Sequence, residues 1–208
     1  ILGLDISTKT IGWALFDITG SHLLELTHFT PKIKPKPEDK IEELLKKSEG
    51  FAEQLEKYKD MGITKVIIEE PLLNSNNVYT VGTLLRYNSM VLKSCFDILG
   101  VVPNFISTYN ARKFAFPDLV GKNTKGRNVL FGGYPKDIDK KHVVWEHVND
   151  LFPEVEWGIS TRTGNLKKEN YDMSDAATAV IGYINKNPKK KQSTIRLEDF
   201  WKLCGCYR

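Results

Sequence analysis

Four acidic residues stand where a carboxylate is costly to keep. Asp5 follows the apolar run Ile1-Leu-Gly-Leu4, and Glu69 closes the run Val66-Ile-Ile68. Asp172 and Asp175 open an apolar helical pattern, three residues apart and so on one helix face. A carboxylate at the edge of a core needs a hydrogen-bond partner, a cation or a metal. Taken singly, each has an ordinary explanation. Asp172 or Asp175 suits a helix N-cap, and Glu69 or Glu70 suits a solvated strand end. Taken together, two strand-end carboxylates and two on one helix form a hard oxygen-ligand set of the kind Mg²⁺ takes. A pair of such ions roughly 4 Å apart activates water and stabilises the leaving oxygen in phosphodiester hydrolysis. Packed carboxylates repel one another, and a divalent ion removes that cost.

The elements that must position these groups follow from hydrophobic periodicity and turn residues. Ile1–Leu4, Ile11–Phe16 and Leu23–Phe29 read as a meander of strands with short polar turns. The Lys-Pro alternation from Pro31 to Pro37 reads as extended surface chain. Glu38–Tyr58 carries Ile41, Leu44, Leu45, Phe51, Ala52 and Leu55 at helical spacing. A buried strand, Lys65–Ile68, then ends at Glu69. Thr80–Leu99 predicts a second helix closed by Gly100, and Val101–Ile106 a strand. Residues 117–140, rich in Gly, Lys and Asn, read as a flexible basic loop. Lys140–Leu151 predicts a helix stopped by Pro153, residues 156–171 a polar loop, and Ser174–Ile184 a small-residue helix. Strands first, then alternating helix and strand, point to a mixed α/β layer fold. The domain is expected over 1–185, with a basic tail over 186–208.

Three segments carry a family resemblance. Leu2-Gly-Leu-Asp-Ile-Ser-Thr-Lys-Thr-Ile-Gly-Trp-Ala-Leu-Phe16 resembles the first nuclease motif of the RuvC group within the RNase H-like superfamily. Val66-Ile-Ile-Glu-Glu-Pro71 resembles its second motif, and Asp172-Met-Ser-Asp-Ala-Ala-Thr-Ala-Val180 its last. They occur in the family's order over nearly the whole chain, from residue 1 to about 185. The resemblance implies an α/β, RNase H-like mixed five-stranded sheet flanked by helices. It also implies a homodimeric, Mg²⁺-dependent endonuclease that resolves four-way (Holliday) DNA junctions, with two ions per site and Mn²⁺ able to substitute. Asp5, Glu69, Asp172 and Asp175 then match the metal-binding carboxylates. Glu69 is preferred to Glu70 because the family's Glu directly follows the apolar run. Lys140 or Lys141 matches the region of a basic catalytic-site residue. The chain departs from the family at Leu72, where bacterial members often carry an aromatic used against junction bases; Tyr79 and Tyr87 are the candidate substitutes. Ser7 stands where many relatives have Gly.

The chain's 208 residues carry a formal net charge of +4, a mild excess whose distribution matters more than its size. Eight basic residues lie between Tyr109 and His147: Arg112, Lys113, Lys122, Lys125, Arg127, Lys136, Lys140 and Lys141. Arg162, Lys167 and Lys168 follow just before the Asp pair. A solvated Lys-rich surface is the ordinary reading. Their position ahead of the proposed catalytic helix favours DNA phosphate contact, which would make binding salt-sensitive. Phe131 and Tyr134, flanking Gly132-Gly133, are the aromatics expected to be exposed for stacking on unpaired bases; Phe114 and Phe116 suit the core at least as well. Lys189-Lys-Lys191 reads as a solvated tail.

Composition excludes several classes. Hydrophobic residues make up 41% and charged residues 27%, which is ordinary for a globular chain. Cys95, Cys204 and Cys206 give no disulfide framework and suit a reducing compartment. With the resemblance, that implies an intracellular place, cytoplasmic or at the site of DNA replication or recombination. No apolar run approaches the roughly 20 residues of a membrane helix, so no membrane partner is expected. The opening residues meet Asp5 at once and do not read as a signal peptide. The rival readings are a junction-binding scaffold without cleavage and an actin- or sugar-kinase-like ATPase. The second needs another Gly-rich phosphate loop, which the sequence does not supply.

Overall fold

The computed structural model describes residues 1–34, 37–71 and 77–188. Leu72, the run Lys189-Lys-Lys191 and the pair Cys204 and Cys206 lie outside the described residues.

Five strands form one mixed sheet. They are β1 (Leu2–Ile6), β2 (Ile11–Phe16), β3 (Leu23–Phe29), β4 (Val66–Glu69) and β5 (Asn104–Ile106), in the order β3-β2-β1-β4-β5. β1 pairs antiparallel with β2, and β2 antiparallel with β3. β1 and β4 are parallel, as are β4 and β5. The sheet is the mixed five-stranded α/β sheet expected. β5 is shorter than the predicted Val101–Ile106, because Pro103 has no N–H to give a ladder.

Strand alternation divides the side chains between two faces. Leu2, Leu4, Ile6, Val66 and Ile68 pack on one face against Leu44, Phe51, Leu55, Tyr87, Val91 and Cys95. These last belong to α1 (Lys40–Glu56) and α2 (Val78–Leu99). Asp39 caps α1 by accepting from the Glu42 N–H, and Asn77 caps α2 by accepting from the Thr80 N–H. Burying each such Leu or Ile contributes roughly 1.5–3 kcal/mol. The other face carries Ala14, Ile67 and Ile106 against α3 (Thr108–Ala115), α4 (Lys140–Leu151) and α5 (Glu169–Lys186). By the same alternation, Asp5 shares this face with Gly3, and Glu69 with Ile67.

Two expectations need correcting. Residues 117–140 are not a featureless loop. Pro117–Leu119 forms a 3-10 turn, and a two-stranded hairpin follows, β6 (Val120–Lys122) with β7 (Asn128–Leu130). The hairpin is pinned from within: Phe131 is buried, and its N–H donates to the Leu119 carbonyl. Gly121 and Gly132 touch backbone to backbone, so a Cβ at either would collide with the other's carbonyl. The last helix starts at Glu169 rather than Ser174, with Lys168 as its N-cap, so Asp172 lies inside the first turn and does not cap it. No described helix is long and apolar enough to cross a membrane.

Candidate active site

Strand register places the first two acids. The parallel ladder aligns Leu4 with Ile68, so Asp5 and Glu69 come next, side by side at the C-terminal ends of β1 and β4. Both point to the α5 face. That helix lies directly on the sheet because two strand glycines admit it. A Cβ at Gly12 would strike the Asp172 carbonyl, and one at Gly3 would strike the Ala176 carbonyl and the Val180 side chain. The close approach sets Asp172 and Asp175 above the strand ends. A third glycine acts on α5 itself: a Cβ at Gly182 would meet the Ala111 backbone, so α3 docks tightly beside α5 and brings Arg112 with it.

The four acids thereby come within electrostatic reach of one another. Burial raises the Asp5 pKa well above the usual carboxylate range, and Glu69, Asp175 and Asp172 push it the same way while Lys141 opposes them. Burial also raises Glu69, to about 7, with Asp175 adding to the rise. A hydrogen bond from Thr108 and the charges of Arg112 and Lys141 pull Glu69 down. Asp172 is raised by burial, against the pull of Lys141. Burial lowers Lys141, but Asp175, Asp172 and Asp5 more than offset this, and its ammonium is held above its ordinary value.

Specific contacts fix the arrangement. The Arg112 guanidinium donates to Asp175 Oδ1 at 2.9 Å, with side chains only 12% and 6% exposed. Lys141 Nζ stands 3.7 Å from Asp172 and 3.8 Å from Asp175. The Thr108 hydroxyl donates to Glu69 Oε1 at 2.7 Å. Glu69 Oε2 and Arg112 Nε are buried with no hydrogen-bond partner. An orphaned carboxylate oxygen among hard oxygen donors suits a divalent cation. Yet among the described residues no three acidic, His or Cys side chains stand close enough together to form a ready ligand set. Two of the four carboxylates are engaged by Arg112 and Lys141 instead.

The remaining candidates divide. Of the two lysines, Lys141 reaches the acids, whereas Lys140 Nζ lies over the Phe131 ring at 5.8 Å. Arg112 is turned inward to Asp175 and is not an open phosphate contact. Lys113 folds over the Tyr109 and Phe114 rings. Lys122, Lys125 and Arg127 are exposed on the hairpin, and Lys136, Arg162, Lys167 and Lys168 are exposed too. Phe131 was expected at the surface but is buried, because its ring anchors the hairpin to the core. Tyr134 is half-buried against the same cluster. Tyr87 is wholly buried on the opposite face of the sheet, which removes it as a base-stacking substitute, while Tyr79 is 66% exposed. Thr108 escaped the sequence reading, since its place beside Glu69 depends on β5 neighbouring β4.

No protein-family model matches the chain, and no curated protein matches it. Solved structures do. RuvC from T. thermophilus in complex with Holliday junction substrate superposes with TM-score 0.56 at 12% identity, over 88% of this chain and 91% of that one. A second structure, Thermus thermophilus RuvC, gives 0.52 at 16% identity, over 88% and 92%. A ROK hexokinase from Thermus thermophilus overlaps at 0.34 with 19% identity, over 58% of this chain and 39% of its own, too slight to bear on fold or activity. The strand order, the helices on both faces and the superposition over most of both chains give one result: this protein has the RuvC-like, RNase H-type fold.

Proposed function

We propose that this protein is a divalent-metal-dependent endonuclease acting on branched DNA, chiefly four-way junctions. The observation that supports this reading is that Asp5, Glu69, Asp172 and Asp175 lie within electrostatic reach of one another at the strand ends of a RuvC-like sheet. Those four would hold Mg²⁺, or Mn²⁺ in its place, two ions per site. When bound, the metal supplies Lewis-acid polarisation of the phosphate and an activated water. The chain's own groups do the rest. Glu69 is held in place by Thr108, and Asp175 by Arg112. Lys141, kept charged by the acids around it, offers a cation to the phosphate. The exposed lysines and arginine of the hairpin would bind backbone phosphates.

The protein would work as a homodimer, so that two sites meet a substrate with two-fold symmetry. The face of α2 that leaves Leu85 and Phe96 exposed is the candidate contact. A non-cleaving junction binder is the second reading. It is favoured by one observation, that Arg112 and Lys141 already neutralise two of the acids.

Synthetic four-way junctions with Mg²⁺ test both. The nuclease reading expects paired, symmetric cuts. Asp5→Asn should bind the junction normally while cleavage falls at least about a hundred-fold, as the loss of a few kcal/mol of metal stabilisation requires. Binding without cleavage in either Mg²⁺ or Mn²⁺ supports the scaffold.

A further inference from the structure

A cavity of about 580 Å³ opens beside the carboxylates, between the β1–β2 turn and the start of α5. Asp172 and Lys141 belong to both the cavity and the acidic cluster. Lys9, Lys168 and Tyr171 complete the part that bears on binding. We propose that this cavity seats a single unpaired nucleotide of the strand being cut, its phosphate held by Lys9 and Lys168 and its base against the Tyr171 ring. The inference rests on the nuclease reading and specifies which part of the DNA enters the site.

Three observations carry it. The first is size. The volume lies within the range of a small-ligand pocket, which suits one nucleotide. The second is rigidity. Ser7 Oγ donates to the Thr10 carbonyl at 2.7 Å and accepts from the Thr10 N–H at 3.0 Å, while Lys47 Nζ donates to the Thr8 carbonyl at 2.6 Å. The turn is therefore braced on both sides of Lys9, whose own side chain is exposed. The third is an oriented aromatic. The Tyr171 hydroxyl lies 3.4 Å from His142 Nδ1, and its ring stands edge-on to that imidazole at 6.4 Å. Three acids border the cavity. The Asp139 carboxylate is occupied in capping α4 and Asp172 faces Lys141 at 3.7 Å, leaving Glu169 against Lys9 and Lys168. A cation pair for phosphate beside an aromatic face for a base is the chemistry that recognises a single-stranded nucleotide.

The test is fluorescence anisotropy of the full chain with labelled four-way junctions, Ca²⁺ replacing Mg²⁺ to hold back cleavage. One junction is fully paired, and one carries unpaired thymines at the crossover. Tyr171→Ala should weaken binding to the second roughly ten-fold, and to the paired junction less than about two-fold. Tyr171→Phe, which keeps the ring, should restore it. Lys9→Ala, at an exposed position that folding tolerates, should weaken both and lower the salt slope by about 0.9. If the wild type binds junctions but Tyr171→Ala and Lys9→Ala bind as well as it does, the subsite is overturned and the nuclease reading stands. Failure of Tyr171→Phe to rescue overturns base stacking. If the wild type binds no branched DNA, both readings fall together.

Discussion

Arg112 is the residue whose role changes most between chain and fold. By composition it is one more cation in a basic stretch. In the structure it is a buried partner to a buried acid, beside the orphaned oxygen of Glu69. Removing one member of such a pair strands the other's charge out of water. Arg112→Met should therefore lower the metal-free stability by about 3 kcal/mol in urea titrations, and added Mg²⁺ should recover part of the loss. Arg112→Lys should recover little, because an ammonium cannot reproduce the planar guanidinium contact. A metal-free midpoint unchanged in Arg112→Met would show that the pair does not brace the cluster.

Glycine contacts decide the placement of whole elements. α5 carries two of the four acids, and its height above the sheet is set by Gly3 and Gly12. Gly12→Ala should push the Asp172 backbone away. We expect a stability loss of about 3 kcal/mol, since overpacking against backbone cannot relax by a rotamer change, together with loss of cleavage. A Gly12→Ala protein with wild-type melting and activity would refute the close docking. α4 is held at its far end by His147, whose Nε2 lies 2.6 Å from Asp118 in the 3-10 turn. Burial lowers the His147 pKa, but Asp118 and the Val143 carbonyl outweigh it and raise the value above 6.5. A raised histidine gives stability that is fully present below pH 6.5 and is lost as pH rises through the folded value. The wild-type melting temperature should thus fall across that window, and Asp118→Asn should flatten the fall.

At the scale of the molecule, the proposed function assigns binding and chemistry to different groups. The acids gather at the strand ends, while Lys122, Lys125 and Arg127 stand exposed on the hairpin. Replacing these three with alanine should reduce the slope of log affinity against log salt by up to about 2.7. The rate of cutting at saturating DNA should hardly change. A slope equal to the wild type's would place the DNA elsewhere. An order in which the hairpin is braced by Phe131 and the Gly121–Gly132 contact also makes it a firm platform, where sequence alone suggested a mobile one.

Periodicity and punctuation in the sequence determined most of the elements: the alternation through Leu2–Ile6, the apolar run before Glu69, the helical spacing of Leu44, Phe51 and Leu55. These are local properties, set by side-chain direction within a strand or helix. The four acids were legible for the same reason, since each stands at the border of an apolar pattern. The hairpin at residues 120–130 was not legible, because its stability comes from a buried ring and a glycine contact beyond it in the chain. Nor were the inward turn of Arg112, the choice of Lys141 over Lys140, or the bond from Thr108 to Glu69. Each depends on which elements become neighbours. Only the tertiary structure decides that, because the energy of a buried charge depends on groups far away in sequence and a few ångströms away in space.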